Sequence, residues 1–128
     1  MDVRDAVEAD AERLAELTGS PEDVMRNLVH DRTVRVAESG EEVRGFVSYD
    51  ARDETVHVTQ LEGDGDASDR LIEEPVRFAR TEGMTVELLV PEGESDTRAA
   101  AEAAGFERTG TGPAFEGQPT VRYRLDPR

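Results

Sequence analysis

The sequence predicts one α/β domain over residues 1–128, built on a single mixed sheet. Three observations point to this fold class. The length is that of one domain. Apolar residues recur at every second position in several segments, which is typical of strands, and at helical spacing in others. The two kinds of segment alternate along the chain, and neither an internal repeat nor a linker divides it.

The first half of the chain is predicted to hold one strand, two helices and three strands joined by hairpins. A short strand at 3–7 precedes a helix that Gly19 ends, because glycine readily takes the left-handed conformation that follows a helix. Ser20 and Pro21 are start signals for the second helix. Alternating valines then predict three strands with tight turns between them. These strands lie at residues 33–37, 42–49 and 55–61.

The second half is predicted to alternate helices and strands. A helix that ends at Gly83 is interrupted near Pro75, because proline removes a helical hydrogen bond. The apolar run at 85–90 is typical of a strand buried on both faces. A helix joins this run to the strand at 55–61, so the two are predicted to be parallel neighbours, with a ligand at their carboxyl ends. The remaining segments are an alanine-rich helix that Gly105 ends, a Gly/Pro-rich connection at 110–119 and a strand at 120–125.

The charge composition is strongly acidic: the chain has 30 Asp and Glu against 15 cationic residues, all of them arginine, and a net charge of -15. An acidic surface without lysine is typical of halophilic proteins, because ions at molar concentration screen the repulsion between carboxylates. The same charge excludes a nucleic-acid-binding protein, since there is no basic stripe to neutralise phosphates. The chain contains no Cys and only two His, which excludes disulfides and the common zinc sites, so no metal is expected.

The sequence also predicts a cytoplasmic protein without a membrane partner. No apolar run approaches the roughly 18 residues of a membrane helix. The opening residues lack the apolar stretch of a signal peptide.

Three segments resemble the GNAT superfamily of acyl-CoA-dependent N-acetyltransferases. Residues 3–17 are similar to its first strand and helix, and residues 36–49 are similar to its second and third strands. Residues 101–107 are similar to the helix end and Gly-Phe turn before its last strands. The resemblance covers nearly the whole chain, in the family's order. It implies a mostly antiparallel sheet with one splayed parallel strand pair and about four helices.

The resemblance also implies a cosubstrate, acetyl-CoA. In the family, a loop of the form Gln/Arg-x-x-Gly-x-Gly/Ala holds the CoA pyrophosphate with backbone N–H groups at a helix N-terminus, and residues 60–65 have this form. The acidic residues of the segment would repel a pyrophosphate, so a turn that only caps the helix is the alternative. The implied cosubstrate-binding residues are Gln60, Leu61, Gly63, Gly65, Asp66, Ala67 and Ser68.

Such a transferase needs a general base that takes a proton from the amine acceptor. In the family this base is often a Glu on the fourth strand. The candidates here are His57 and Glu54, and Glu62 flanks the same strand at its other end. The catalytic tyrosine that many members place four residues before the glycine of the Gly-Phe turn is replaced by Ala101.

Two functions are therefore open. The first is an N-acetyltransferase that acts on a small-molecule or protein amine. The second is a catalytically silent module of the same fold that binds a ligand or a partner protein. The resemblance implies that the loops near residues 17–33 and 110–119 set the identity of the acceptor, and neither carries recognisable chemistry.

Overall fold

A seven-stranded mixed sheet forms the centre of the protein. The computed structural model describes residues 1–115 and 117–128. The strands are β1 (Asp2–Asp5), β2 (Thr33–Ser39), β3 (Glu42–Arg52), β4 (Thr55–Gly63), β5 (Thr85–Pro91), β6 (Glu107–Phe115) and β7 (Gln118–Leu125). Their order in the sheet is β1-β2-β3-β4-β5-β7-β6. Only β4 and β5 are parallel neighbours among these strands, which confirms the predicted mixed sheet with one parallel pair.

Helical segments flank this sheet. The helices of the described residues are α1 (Ala11–Thr18), α2 (Glu22–Asp31), α3 (Gly65–Leu71), α4 (Glu73–Glu82) and α5 (Ser95–Ala103). Only Ile72, which itself has helical backbone angles, separates α3 from α4. Counted together as one segment, α3 and α4 complete the four predicted helical segments. Pro75 is the third residue of α4, where its missing N–H would have no partner within the helix. Within these residues, no helix has the length and apolar character needed to cross a membrane.

The predicted helix ends are more accurate than the predicted helix starts. Gly19 and Gly83 end α1 and α4 in the left-handed conformation, with φ of 74° and 71°. Pro21, rather than Ser20, occupies the N-cap position of α2, and no side chain caps that helix.

The predicted Gly/Pro-rich connection at 110–119 is wrong for most of its length. The strand β6 runs into this segment and pairs with β7 as a hairpin, with two register shifts that absorb its irregular residues. Because β6 lies at the edge of the sheet, Pro113 can occupy it without breaking a central ladder. Residue 116 of this segment lies outside the described residues.

The two faces of the sheet are covered by different helices. One core contains Val56, Val86 and Leu88 together with residues of α3, α4 and α5. A second core joins α1 and α2 to β2 and β3, through residues such as Phe46. The prediction that β5 is buried on both faces is wrong, because α1 and α2 pack over β2 and β3 instead. Leu88 is 2% exposed, whereas Leu89 is 39% exposed.

Two glycines bring β3, β4 and α3 close together. Gly45 and Gly63 are cross-strand partners. A side chain at Gly45 would collide with the backbone carbonyl of Glu62, and one at Gly63 would come within 3.0 Å of the Ala67 Cβ. Gly63 also has φ of 146°, a conformation that other residues avoid. This contact fixes the start of α3 against the end of β4.

The acidic residues lie mostly at the surface. Among the described residues, Asp10 and Glu74 are the two acids that are buried. Each is held by arginine: Arg4 lies 2.9 Å from Asp10, and Arg35 and Arg77 each lie 2.9 Å from Glu74. The buried carboxylates are therefore neutralised within the fold, and the unpaired negative charge faces solvent.

We expect the melting temperature to rise steeply with salt, by roughly 10 °C or more between 0.1 M and 2 M KCl, because screening removes a repulsion worth a few kcal/mol. Thermal melts followed by circular dichroism at several KCl concentrations measure this. Equal melting temperatures at low and molar salt would contradict the halophilic interpretation of the surface.

Candidate active site

A cleft opens where β4 and β5 diverge. The two strands pair only as far as Val58 and Leu88, and both continue for several residues beyond. The cleft has a volume of about 420 Å³. Its walls are formed by β3, β4, β5 and α5 and by the hairpin of β6 and β7. This is the edge of the sheet at which the sequence predicts a ligand.

Glu62 lines this cleft with a carboxyl group whose pKa is raised. It lies near the end of β4, lines the cleft and is partly buried. Burial, and then the negative charge of nearby Glu94, raise the pKa of Glu62 to about 7. Glu94 lines the same cleft from the segment before α5. A carboxyl group with this pKa exists in both protonation states near neutral pH, which suits proton transfer.

The two predicted candidate bases lie at different distances from this cleft. His57 lines it, and its side chain lies on the face of β4 opposite Val56 and Val58, as the alternation predicts. Glu54 lies with Asp53 in the tight turn between β3 and β4, where both have positive φ, and it is exposed. This turn is at the amino end of β4, and Glu54 is not among the described residues that line the cleft.

The predicted cosubstrate loop is a capped helix start. Asp64 occupies the N-cap position of α3, and its Oδ1 accepts a hydrogen bond of 2.9 Å from the Ala67 N–H. Its Oδ2 accepts a second hydrogen bond of 2.9 Å from Arg44. The Ala67 N–H and Arg44 hold the pKa of Asp64 below its usual range. The capping turn, one of the two alternatives from the sequence, is therefore present in the structure.

The seven residues predicted to bind the cosubstrate fall into three groups. Gln60 and Leu61 line the cleft, while Gly63 packs against β3. Gly65 and Asp66 lie at the surface of the turn, and a Cβ added at Gly65 would meet no atom within 4 Å. The side chains of the last two, Ala67 and Ser68, are buried beneath the turn.

Solved structures with the same architecture identify the fold. No family model matches the chain, and no curated protein matches it. A ribosomal-protein-alanine N-acetyltransferase from Brucella melitensis superimposes with a TM-score of 0.82 over 98% of this chain and 99% of its own, at 18% identity. A putative acetyltransferase from Salmonella typhimurium, yncA, in complex with acetyl-CoA, has a TM-score of 0.82 over 100% of this chain and 94% of its own, at 16% identity. A putative acetyltransferase of the GNAT family from Desulfovibrio desulfuricans has a TM-score of 0.76 at 22% identity, over 99% of each chain. The chain has the GNAT fold.

In this GNAT fold, no tyrosine stands where many members of the superfamily place one. Ala101 occupies that position within α5 and is fully buried. Tyr123 is buried on β7, and its hydroxyl donates a 2.7 Å hydrogen bond to Glu102. Burial, and then this bond to Glu102, raise the pKa of Tyr123. That tyrosine is therefore engaged in packing α5 against the sheet.

The sequence indicates that Glu62 flanks the same strand as the candidate bases His57 and Glu54, but it does not single out Glu62 as the base. Its position at the end of β4 was available from the strand pattern. The proximity of Glu94 was not, because the two residues are far apart in the sequence and meet only when β5 and α5 pack beside β4.

Proposed function

We propose that the protein is an N-acyltransferase that moves an acetyl group from acetyl-CoA to an amine. The observation that carries this proposal is the cleft between β4 and β5, which places a partly buried carboxyl group of raised pKa at the splayed end of a parallel strand pair. The GNAT fold supports it, and the Salmonella typhimurium neighbour of this fold was solved with acetyl-CoA.

The splayed strands fit the pantetheine arm of acetyl-CoA. Beyond Val58 and Leu88, the backbone groups of β4 that face β5 have no partner strand in the described part of the chain. An extended ligand with amide groups can satisfy such groups as an added strand would. Gln60 and Leu61 are in this stretch and line the cleft, so they are the residues we assign to the arm.

We assign Glu62 the role of general base. His57 lines the same cleft and is the alternative base. Acetyl-CoA supplies a thioester whose carbonyl carbon the amine nitrogen attacks, and the C–S electron pair leaves with the CoA thiolate. The Glu62 carboxylate accepts the proton that the ammonium form of the acceptor loses before its nitrogen attacks, and the proton lost from the nitrogen as the amide forms goes to solvent. Solvent in the open cleft returns a proton to the leaving thiolate, so this scheme does not need a tyrosine at position 101.

The capped turn at the start of α3 limits how the phosphates can bind. The Asp64 carboxylate already occupies one N–H of the first turn, and it would repel an approaching pyrophosphate. The open surface at Gly65 still leaves room for phosphate oxygens next to the backbone. The proposal therefore places the pyrophosphate at Gly65 and Asp66, outside the Asp64 cap.

We expect Gly65→Val to weaken acetyl-CoA binding by at least about tenfold, because a branched side chain blocks the approach of phosphate to the backbone. The protein itself should tolerate the change, since no atom lies within 4 Å of the added Cβ. Calorimetric titration with acetyl-CoA in 2 M KCl, together with amide NMR shifts of residues 63–68, measures the effect.

Asp66→Asn is the matched control, because it alters the same turn without adding bulk. It should strengthen acetyl-CoA binding by a few-fold through loss of one negative charge. Titration of the wild-type protein without any shift in this turn would favour the silent module, for which the Asp64 cap and Ala101 are the supporting observations.

A further inference from the structure

Leu89 is an exposed apolar residue on the wall of the cleft. It follows Leu88, the last residue of β5 that pairs with β4, and its side chain is 39% exposed. Polar residues such as Glu87 and Thr120 line the same cleft. An exposed leucine in this position is unexplained by packing of the fold, because the core lies on the other face of β5.

The Leu89 side chain packs next to Gly112 on β6. A Cβ at Gly112 would lie 2.6 Å from the Leu89 Cδ2 and 2.7 Å from the Thr120 Oγ1. Thr120 is itself fixed by a 2.8 Å hydrogen bond that its hydroxyl donates to the carbonyl of Pro113. The leucine side chain therefore rests in a space that exists only because residue 112 has no side chain.

The order of the strands determines which way Leu89 would move. The sheet runs β4-β5-β7-β6, so Gly112 lies on the side of Leu89 away from β4. A Cβ at position 112 would collide with both the Leu89 Cδ2 and the Thr120 Oγ1. Because the Thr120 hydroxyl is held by its bond to Pro113, we expect Leu89 to move, toward β4 and into the cleft.

Leu89 and the proposed phosphate site lie on different sides of the sheet. Val56 and Val58 face the core that contains α3, whereas His57 and Leu89 face the opposite side, because residues alternate along a strand. The cosubstrate turn begins α3. The side with His57 and Leu89 is therefore the one left for the acceptor.

We infer that Leu89, seated on Gly112, is the residue that determines acceptor specificity, and that the acceptor is a primary alkylammonium compound whose carbon chain packs on Leu89. This inference rests on the proposed function. The carboxyl groups of Glu62, Glu87 and Glu94 line the same cleft against one arginine among its described lining residues, Arg52. Glu87 lies 3.9 and 4.0 Å from Arg122 and Arg124, so Glu62 and Glu94 are the carboxyl groups we assign to attraction of the cationic nitrogen. The isobutyl group of Leu89 supplies the apolar contact that a chain beside that nitrogen needs.

Two amines of equal charge test the inference without turnover. Methylamine and n-butylamine are titrated separately into the protein in 2 M KCl at pH 7, without acetyl-CoA. Leucine methyl resonances report binding, and the Leu89 signals are assigned by their loss in Leu89→Ala. We expect the Leu89 methyl groups to shift with n-butylamine and to shift much less with methylamine.

Gly112→Ala should weaken n-butylamine binding by about tenfold and methylamine binding by less than about twofold, because only the longer chain meets the displaced leucine. The matched control is Gly93→Ala, whose added Cβ makes an ordinary 3.6 Å contact with Gln118, and it should change neither affinity. The double variant Gly112→Ala with Leu89→Ala should bind n-butylamine as Leu89→Ala alone does, because no leucine is left for the new side chain to displace.

Thermal melts establish that each variant is folded. Should Gly112→Ala fail to fold, Leu89→Ala alone tests the inference by reducing the preference for n-butylamine over methylamine. Equal loss for both amines, or amine binding that leaves the Leu89 methyl groups unmoved, would overturn the role of Leu89. The acetyl-CoA titration tests the proposed function separately. If the protein binds acetyl-CoA but these amine tests fail, only this inference is refuted.

Discussion

Replacing Glu62 with Gln is expected to lower the rate of acetyl transfer by about 10² to 10⁴-fold, because the amide cannot accept the proton of the amine. The substitution keeps the size of the side chain and its place on the cleft wall. Release of free CoA thiol, measured with n-butylamine and other primary amines as acceptors in 2 M KCl, gives the rate.

The pH dependence follows from the raised pKa of Glu62. The carboxylate is the active form of a base, so kcat/KM should increase with pH and reach half its maximum at about pH 7. Glu94→Gln should move this midpoint to lower pH, because the charge of Glu94 is the second cause of the shift. Side-chain 13C NMR of Glu62, assigned by its loss in Glu62→Gln, follows the same ionisation without any acceptor.

The control for Glu62→Gln is its stability, which shows whether a loss of rate comes from unfolding. A folded-state pKa above the unfolded value of 4.5 means that Glu62 favours folding at low pH and that this contribution is lost as pH rises through about 7. Glutamine cannot ionise, so the variant should be at least as stable as the wild type at pH 8. A variant that is folded and fully active would remove Glu62 from the mechanism.

Two further variants separate the candidate bases. Glu54→Gln alters the exposed turn at the far end of β4 and should leave the rate unchanged. His57→Asn alters the same cleft as Glu62. A larger loss of rate in His57→Asn than in Glu62→Gln would assign the base to the histidine instead.

Replacing Leu88 with Ala is expected to lower the free energy of unfolding by about 2 to 5 kcal/mol, because it removes buried contacts and leaves a cavity. Leu88 is 2% exposed. It is paired with Val58 on β4 and with Tyr123 on β7, so its side chain lies in the middle of the sheet. Urea denaturation at fixed 2 M KCl measures the difference.

Leu89→Ala is the matched control, since it removes the same atoms from the next residue of the same strand. Leu89 is 39% exposed, so less of its surface is buried and the expected loss is below about 1 kcal/mol. Equal losses for the two variants would mean that the core does not lie on the Leu88 face of β5.

Much of the fold could be predicted from local patterns. Alternating valines predicted the hairpin strands, Gly19 and Gly83 predicted helix ends, and Pro75 predicted a break in the helix after β4, since each depends on the conformation of only a few neighbouring residues. The parallel pairing of β4 and β5 was predictable because a helix joins them.

Less of the candidate site could be predicted. Alternation along β4 placed His57 on the face opposite Val56 and Val58. The turn motif could be read as a phosphate loop or as a cap, and only the hydrogen bond from the Ala67 N–H to Asp64 showed which contact the turn makes by itself.

The sequence by itself determined most of the strand and helix order and the acidic character of this protein, but not the strand β6 or the role of the turn at Asp64. Tertiary structure decided three things: that Leu89 is exposed while Leu88 is buried, that Glu62 lies near Glu94, and that Gly112 makes room for Leu89. Each of these depends on elements that pack together from distant parts of the chain. Burial and the pKa of a carboxyl group are set by those neighbours in space, and no periodicity along the chain encodes them.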